Sequence, residues 1–118
     1  MRAAPSARAP SSSRPSSSRG TALAHFNFVG DSVIGAGVNM EAGSIVCNHR
    51  NERAAKEIFV RSGEGWALQP TGCEKFGALI GDGARIGANA VLAPGALLRP
   101  GRVVGRASLL DQELPGHE

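Results

Sequence analysis

Residues 28–46, FVGDSVIGAGVNMEAGSIV, and residues 80–98, IGDGARIGANAVLAPGALL, repeat with a period of six. The larger apolar residues stand six positions apart, at Phe28, Ile34, Met40 and Val46, and again at Ile80, Ile86, Leu92, Leu98, Val104 and Leu110. Small or β-branched residues follow four positions later, at Ser32, Val38, Ser44, Ala84, Ala90, Ala96 and Ser108, with Arg102 as the exception. A period of six fits neither an α-helix nor an alternating strand.

This period predicts an all-β, three-sided coil of short strands. Each six-residue unit makes one side, its large apolar residue points inward, and its small residue fits near a corner. Three units complete one turn, so backbone N–H and C=O groups pair with the turns above and below as in a parallel sheet. Gly35, Gly81, Gly87 and Gly105 follow the large residue, where a bend favours a residue without a Cβ.

Residues 49–79 interrupt the repeat. Within them, the segment KEIFVRSGEGWAL predicts two short strands around a glycine-bearing turn at residues 62–65, which is the pattern of a β-hairpin. Trp66 is expected to pack this hairpin against the coil. The segment is therefore interpreted as a loop inserted at one corner rather than as a second domain.

The two ends of the chain lack the repeat. Residues 1–22 are rich in Ser, Arg and Pro, which predicts a disordered tail, with an organelle transit peptide as the alternative. The coil domain is predicted to span residues 23–110, and residues 111–118 are predicted to form a C-terminal tail. Such a short coil has exposed ends, which favours a homotrimer of parallel coils or a fragment whose remaining turns lie upstream.

Charge and cysteine content narrow the possible partners. Four of the 13 basic residues lie within residues 1–20, which leaves nine basic against ten acidic residues in the rest of the chain. The body is therefore not basic, and no nucleic-acid partner is predicted. Two cysteines are too few for a disulfide scaffold, which favours a cytoplasmic protein. No segment approaches the roughly 18 apolar residues of a membrane span.

Several motifs together resemble one family of hexapeptide-repeat transferases. The matching segments are His25-Phe26-Asn27-Phe28-Val29-Gly30-Asp31, Val38-Asn39, Cys47-Asn48 and residues 75–82, KFGALIGD. They are similar to the carboxy-terminal domain of bifunctional glucosamine-1-phosphate acetyltransferase/uridyltransferases and of archaeal sugar-1-phosphate nucleotidylyltransferases. The resemblance covers about residues 24–110 and implies a left-handed parallel β-helix, whose hand the period alone does not determine.

The activity implied by this resemblance is acyl transfer from acetyl-CoA, or another acyl-CoA, to an amino-sugar phosphate or nucleotide sugar. His25 would act as the general base on the sugar amine, because a neutral imidazole can accept a proton at cellular pH. The amine would attack the thioester directly, without a covalent enzyme intermediate. In that family the sites lie between neighbouring coils, so the trimer would be part of the site.

The resemblance also implies which residues bind the two substrates. The sugar phosphate would be bound by Phe28, Asn39 and Lys75. The acyl donor would be bound by Asn48, Ala88 and Gly105. Three residues depart from the family pattern: Phe28 replaces a Tyr, His49 replaces the Tyr that follows the Asn, and Ala88 replaces a frequent Ser.

Two other functions are considered. The first is a non-catalytic trimerisation or regulatory module left from a sugar-1-phosphate nucleotidylyltransferase. The second is a zinc hydratase, which needs three imidazoles around the metal, and the candidates are His25, His49 and His117. His117 is one of the last two residues of the chain and the family resemblance gives no support to a metal, so no metal is predicted.

Overall fold

The computed structural model describes residues 16–17, 20–23, 27–114 and 116. These residues form fourteen short strands and a three-residue 3-10 turn, Glu64–Trp66. The strands are β1 (Ser16–Ser17), β2 (Ala22–Leu23), β3 (Phe28–Val29), β4 (Val33–Ile34), β5 (Asn39–Met40), β6 (Ile45–Val46), β7 (Phe59–Ser62), β8 (Ala67–Pro70), β9 (Leu79–Ile80), β10 (Arg85–Ile86), β11 (Val91–Leu92), β12 (Leu97–Leu98), β13 (Val103–Val104) and β14 (Leu109–Leu110).

Twelve of these strands form three parallel sheets of four strands each. Sheet A has the order β1-β4-β9-β12, sheet B has the order β2-β5-β10-β13, and sheet C has the order β3-β6-β11-β14. Along the chain, successive strands belong to sheets A, B and C in constant rotation. Each strand therefore pairs with the strands one turn away, which is the connectivity of a three-sided parallel β-helix.

The core is a column of aliphatic side chains along the inside of the coil. The second residue of each strand from β3 to β14, outside the hairpin, is at most 6% exposed: Val29, Ile34, Met40, Val46, Ile80, Ile86, Leu92, Leu98, Val104 and Leu110. The preceding small residues are buried at the corners, among them Ser32, Val38, Ser44, Ala84, Ala90 and Ala96. The predicted inward positions are thus confirmed from Ile34 onward.

Phe28 does not point into the core as predicted. It pairs with Ile45 on the outer surface of sheet C and is only half-buried, whereas Val29 is fully buried. The inward residues Val29 and Ile34 are five positions apart rather than six, because the corner between β3 and β4 is one residue shorter. Since strand side chains alternate between faces, that single residue moves Phe28 outward.

The coil also begins earlier than predicted. Ser16–Ser17 and Ala22–Leu23 pair in parallel with β4 and β5, although residues 1–22 were expected to form a disordered tail. The hydroxyl of Thr21 donates to the carbonyl of Gly35 at 2.6 Å. Backbone pairing to an existing strand edge needs no large side chains, so composition did not reveal these strands. Residues 1–15 of the predicted tail lie outside the described residues.

Three of the four expected glycines, Gly35, Gly81 and Gly87, are required by close packing rather than by backbone bending. A Cβ on Gly105 would approach only the Ser108 hydroxyl, at 3.2 Å. A Cβ on Gly81 would lie 2.8 Å from the carbonyl oxygen of Leu98 in the next turn. Positive φ occurs at other corner positions instead, at Gly37, Gly43, Gly83, Asn89, Gly95 and Gly101. Close contacts with the backbone or side chains of the next turn therefore explain Gly35, Gly81 and Gly87, which is a reason that the sequence pattern did not identify.

The insert contains the predicted hairpin. Strands β7 and β8 are antiparallel, with Phe59 opposite Pro70 and Ser62 opposite Ala67. The fully buried Ile58 packs against Gly95 at the corner after β11. A Cβ added to Gly95 would lie only 2.9 Å from Ile58 Cγ2.

The tip of the hairpin also contacts the coil. The guanidinium carbon of Arg99, directly after β12, lies 4.3 Å from the ring centroid of Trp66. A guanidinium over an indole ring is a favourable cation–π arrangement. The expected packing of Trp66 against the coil therefore occurs through Arg99.

A buried arginine joins the insert to the end of the coil. The Arg50 side chain is 3% exposed and forms two parallel hydrogen bonds to Asp111, at 2.7 and 2.8 Å. Its Nη2 also lies 3.0 Å from Glu113, which in turn pairs with Arg53 at 2.8 Å. Residues 111–113, predicted as part of a tail, therefore belong to the folded domain.

The side chain of Gln112 extends sheet A by one position. It accepts the N–H of Leu97 at 2.8 Å and donates to the carbonyl of Leu97 at 3.0 Å. These are the bonds that another parallel strand would make to β12. Among the described residues, no helix has the length and apolar character needed to cross a bilayer.

Candidate functional site

The corner between sheets C and A, at the base of the insert, brings together three predicted site residues. The nearly buried Asn48 donates from Nδ2 to Asp31 Oδ2 at 2.7 Å. Its side chain and the Phe28 ring meet over Gly30, where an added Cβ would lie 2.7 Å from Asn48 Nδ2 and 3.1 Å from Phe28 Cζ. Gly30 therefore lets these two side chains approach each other.

Lys75 is held at this corner by the backbone of its neighbours. The N–H of Phe76 donates to the carbonyl of Asn48 at 3.0 Å, and the N–H of Gly77 donates to the carbonyl of Asp31 at 3.0 Å. Lys75 itself is exposed to solvent. A cation on an exposed side chain is suited to contact an anionic ligand.

His49 lies at the same corner and forms a second link across the base of the insert. Its Nδ1 is 3.0 Å from the carbonyl oxygen of Glu74. A carbonyl oxygen accepts only, so Nδ1 carries the proton and Nε2 is the acceptor nitrogen of the neutral ring. The sequence singled out His49 as a departure from the family pattern and as a candidate zinc ligand, and the structure adds an imidazole to the corner.

Cys47 does not provide a reactive thiol at this corner. Burial is the main cause that raises the pKa of the Cys47 thiol above its ordinary value, although the nearby Arg50 opposes the rise. A thiol in such surroundings stays protonated at neutral pH and is a poor nucleophile. Both Cys47 and Cys73 are free cysteines.

A second group of predicted residues lies at sheet B and at the corner between sheets B and C. Asn39 and Gly105 line a groove of about 250 Å³ together with Glu41, Arg85 and Arg106. Asn39 is exposed on β5 and lies opposite Arg85 of β10. The groove wall therefore carries an amide and two guanidinium groups, a combination that the sequence pattern does not reveal.

Ala88 borders this groove through its backbone. Its N–H donates to Glu41 Oε1 at 2.9 Å, and Arg106 donates to both oxygens of Glu41 at 2.9 Å. The hydrogen bond from Arg106, followed by that from the Ala88 N–H, lowers the pKa of the Glu41 carboxyl below its ordinary value. Glu41 is therefore a carboxylate at neutral pH, positioned by three donors.

The predicted site residues thus fall on the two flanks of sheet C. Asn48 and Lys75 lie at its corner with sheet A, and Ala88 and Gly105 lie at its corner with sheet B. Within a single coil the width of sheet C separates the two groups. His25, the predicted general base, lies between β2 and β3 in the sequence and falls outside the described residues.

Asn27 is a buried polar residue that sequence reasoning did not single out as functional. Its Nδ2 donates to the carbonyls of Glu41 and Ser44, both at 3.0 Å, and to Ser44 Oγ at 2.9 Å. These bonds anchor the chain two residues after His25. The available signal was its position, because Asn27 directly precedes a strand where the repeat otherwise has a small residue.

The structure offers no metal centre in the part of the chain that it describes. Within those residues, no three His, Cys, Asp or Glu side chains converge as ligands for a metal ion. Of the imidazoles considered for zinc, His25 and His117 lie outside the described residues. His49 is engaged with a backbone carbonyl through Nδ1.

One comparison with known proteins finds a relative for part of the chain. A stretch of 40 residues, 34% of this chain, is 45% identical to the bifunctional protein GlmU of Thermodesulfovibrio yellowstonii. The matched stretch covers 9% of that protein. No protein-family model matches the chain. The match supports a GlmU-like relationship for this stretch and agrees with the resemblance seen in the motifs.

Proposed function

We propose that this chain is an acyltransferase domain with a left-handed parallel β-helix, which acts on an amino-sugar phosphate or nucleotide sugar. The donor is acetyl-CoA or another acyl-CoA, and the proposed location is the cytoplasm. The observation that carries the proposal is the corner formed by Phe28, Asn48 and Lys75, because these residues stand at the positions that the family resemblance assigns to substrates.

The proposed reaction uses His25 as the general base. The neutral imidazole accepts a proton from the sugar amine as the amine nitrogen attacks the thioester carbonyl. The carbon–sulfur bond then breaks, and the coenzyme leaves as a thiol after it takes up a proton. The Lys75 ammonium pairs with the sugar phosphate, and the amide of Asn48 orients the acyl donor.

The outward side chains support a homotrimer. Those of sheet A are Val33, Leu79 and Leu97, and those of sheet C are Phe28, Ile45, Val91 and Leu109. Sheet B instead presents Ala22, Asn39, Arg85 and Val103. Large exposed apolar side chains on two sides of a coil favour burial against other copies. A threefold arrangement covers two sides of each coil and leaves the more polar third side free.

The trimer would also complete the site. A neighbour that packs against sheet C lies close to both of its flanks, where Asn48, Lys75, Ala88 and Gly105 are found. Ligands bound there would contact more than one copy of the chain. The two groups, although they are separated within a single coil, could therefore belong to one site that is shared between neighbouring copies.

If the chain forms this trimer, a charge placed on sheet C should disrupt it. Replacement of Ile45 by lysine is expected to convert the trimer to monomers, because an ammonium would be buried against an apolar surface. The measurement is the molar mass in solution by light scattering coupled to size-exclusion chromatography. Val103→Lys is the matched control, since Val103 is exposed on sheet B. A wild-type monomer, or equal disruption by both variants, would contradict the arrangement.

Activity is tested with acetyl-CoA and glucosamine 1-phosphate, by following the release of free thiol. His25→Ala is expected to lower the rate by roughly 10²- to 10⁴-fold, which is the usual contribution of general base catalysis. His117→Ala, near the end of the chain, should retain the wild-type rate. Equal rates for wild type and His25→Ala would remove His25 as the base.

The alternative is a non-catalytic trimerisation or regulatory module of a sugar-1-phosphate nucleotidylyltransferase. Phe28 favours this alternative, because its ring has no hydroxyl to contribute to phosphate binding. A stable trimer in which wild type and His25→Ala are both inactive with several amine acceptors would support the module over the enzyme.

A further inference from the structure

Glu41 spans the groove on sheet B and holds together groups from two different turns. Its carboxylate accepts the backbone N–H of Ala88 and two N–H groups of Arg106, each at 2.9 Å. Arg85 and Asn39 line the same groove. The Ala88 N–H and the Arg106 guanidinium are therefore both directed at one anionic group of the protein itself.

The same donors would suit a phosphate group. A guanidinium that offers two parallel N–H bonds, with a backbone N–H beside it, is a common arrangement for phosphate oxygens as well as for carboxylates. The guanidinium of Arg85 and the amide of Asn39 would supply further donors on the groove wall. A phosphate has more oxygens than a carboxylate and can use these additional groups.

The contact between Glu41 and Arg106 is easily exchanged. The Arg106 side chain is 74% exposed, so water and salt screen the ion pair. The bonds from Arg106 and from the Ala88 N–H go to the Glu41 carboxylate, which can rotate away without movement of the backbone. Replacement of the carboxylate by an incoming anion therefore costs little free energy.

We propose that this groove is a phosphate-binding site that Glu41 occupies in the free protein. A ligand phosphate displaces the Glu41 carboxylate from Arg106 and from the Ala88 N–H. Glu41 thereby lowers the affinity for phosphate and disfavours weak, nonspecific anions. The site recognises a phosphate group whether it belongs to a nucleotide-containing coenzyme, to a sugar phosphate or to free phosphate. Because the groove includes Asn39 and Gly105, to which the proposed function assigns substrate contacts, the inference rests on that function for the identity of the ligand, whereas phosphate binding itself does not require acyl transfer.

The test is isothermal titration calorimetry on the full chain with four probes: coenzyme A, pantetheine, glucosamine 1-phosphate and inorganic phosphate. Glu41→Gln should bind at least one phosphate-bearing probe about three- to tenfold more tightly than wild type, because the competing carboxylate is gone. Arg106→Gln should weaken binding of that same probe. Glu64→Gln is the matched control, since it removes the same charge from an exposed position on the hairpin.

The probes separate the possible sources of the phosphate. Preference for coenzyme A with no binding of pantetheine indicates the nucleotide portion of a coenzyme, and preference for glucosamine 1-phosphate indicates a sugar phosphate. Unchanged or weaker binding of every phosphate-bearing probe by Glu41→Gln would overturn the proposal. The same tightening in Glu64→Gln would also overturn it, because the effect would then reflect net charge alone.

A second measurement on the unmodified protein does not depend on any variant. Nuclear magnetic resonance should show that the bound probe shifts both the Ala88 amide and the carboxylate carbon of Glu41. Binding that leaves both resonances unchanged would place the ligand elsewhere and refute the exchange. If the protein shows these shifts but has no acyl transfer activity, the proposed function is rejected and the phosphate site is retained.

Discussion

Replacing Arg50 with alanine is expected to lower the free energy of unfolding by about 3–5 kcal/mol, the usual cost of removing one partner from a buried ion pair. The Arg50 side chain is almost completely buried and contacts the carboxylates of Asp111 and Glu113 at 2.7 and 3.0 Å. Its loss leaves Asp111 without both parallel hydrogen bonds. Chemical denaturation followed by circular dichroism, at one fixed protein concentration, measures the change.

Two further variants separate the ion pair from a general effect of losing an arginine. Arg85→Ala removes an exposed arginine and should change stability by no more than about 0.5 kcal/mol. The double variant Arg50→Met, Asp111→Leu should be more stable than Arg50→Ala, because no uncompensated charge remains at that position. Similar losses of unfolding free energy in Arg50→Ala and Arg85→Ala would show that the buried ion pair contributes no more to stability than an exposed arginine.

Replacing Leu92 with alanine should cost about 2–5 kcal/mol, the range for a buried leucine that leaves a cavity. Leu92 is fully buried and lies between Val46 and Leu110 in the column of sheet C. The coil stacks its turns on one another, so a cavity there loosens the turns on both sides. The same denaturation measurement applies.

Leu68→Ala is the matched control for Leu92→Ala. Leu68 lies on strand β8 of the hairpin and is exposed, so its truncation should have an effect within about 0.5 kcal/mol. A loss for Leu68→Ala as large as that for Leu92→Ala would mean that the column inside the coil is not the main source of stability.

The six-residue period predicted most of the core because a single physical requirement recurs on each side of the coil. Ile34, Met40, Ile86 and Leu92 are all buried as predicted. Phe28 was assigned wrongly because its size and spacing fit the repeat, while the shortened corner after Val29 depends on local backbone geometry. Asp31 adopts a φ of 48° in that corner. A sequence pattern alone does not reveal such a local deletion.

The interactions that join the insert and the first strand to the rest of the coil were less predictable. Arg50 and Asp111 are 61 positions apart, and each occurs in a segment that lacks the repeat. The strand Ser16–Ser17 is built on backbone hydrogen bonds, which composition does not encode. The hairpin was predictable, in contrast, because a glycine-bearing turn between two short strands is a local signal.

The candidate site was predictable only in part. Resemblance pointed to Asn48 and Lys75, and the structure brings them together through the hydrogen bond between Phe76 and Asn48. The groove residues Arg85 and Arg106 look in the sequence like ordinary surface charges. Their relation to Glu41 arises only when successive turns stack, since Glu41 and Arg106 are 65 positions apart.

The position of Gln112 has a consequence for assembly along the coil axis. A parallel coil could in principle polymerise end to end, because its last turn presents unsatisfied peptide groups that match the first turn of another molecule. The carboxamide of Gln112 satisfies both peptide groups of Leu97 at that end. It thereby blocks one of the three sides on which a fibre would have to grow.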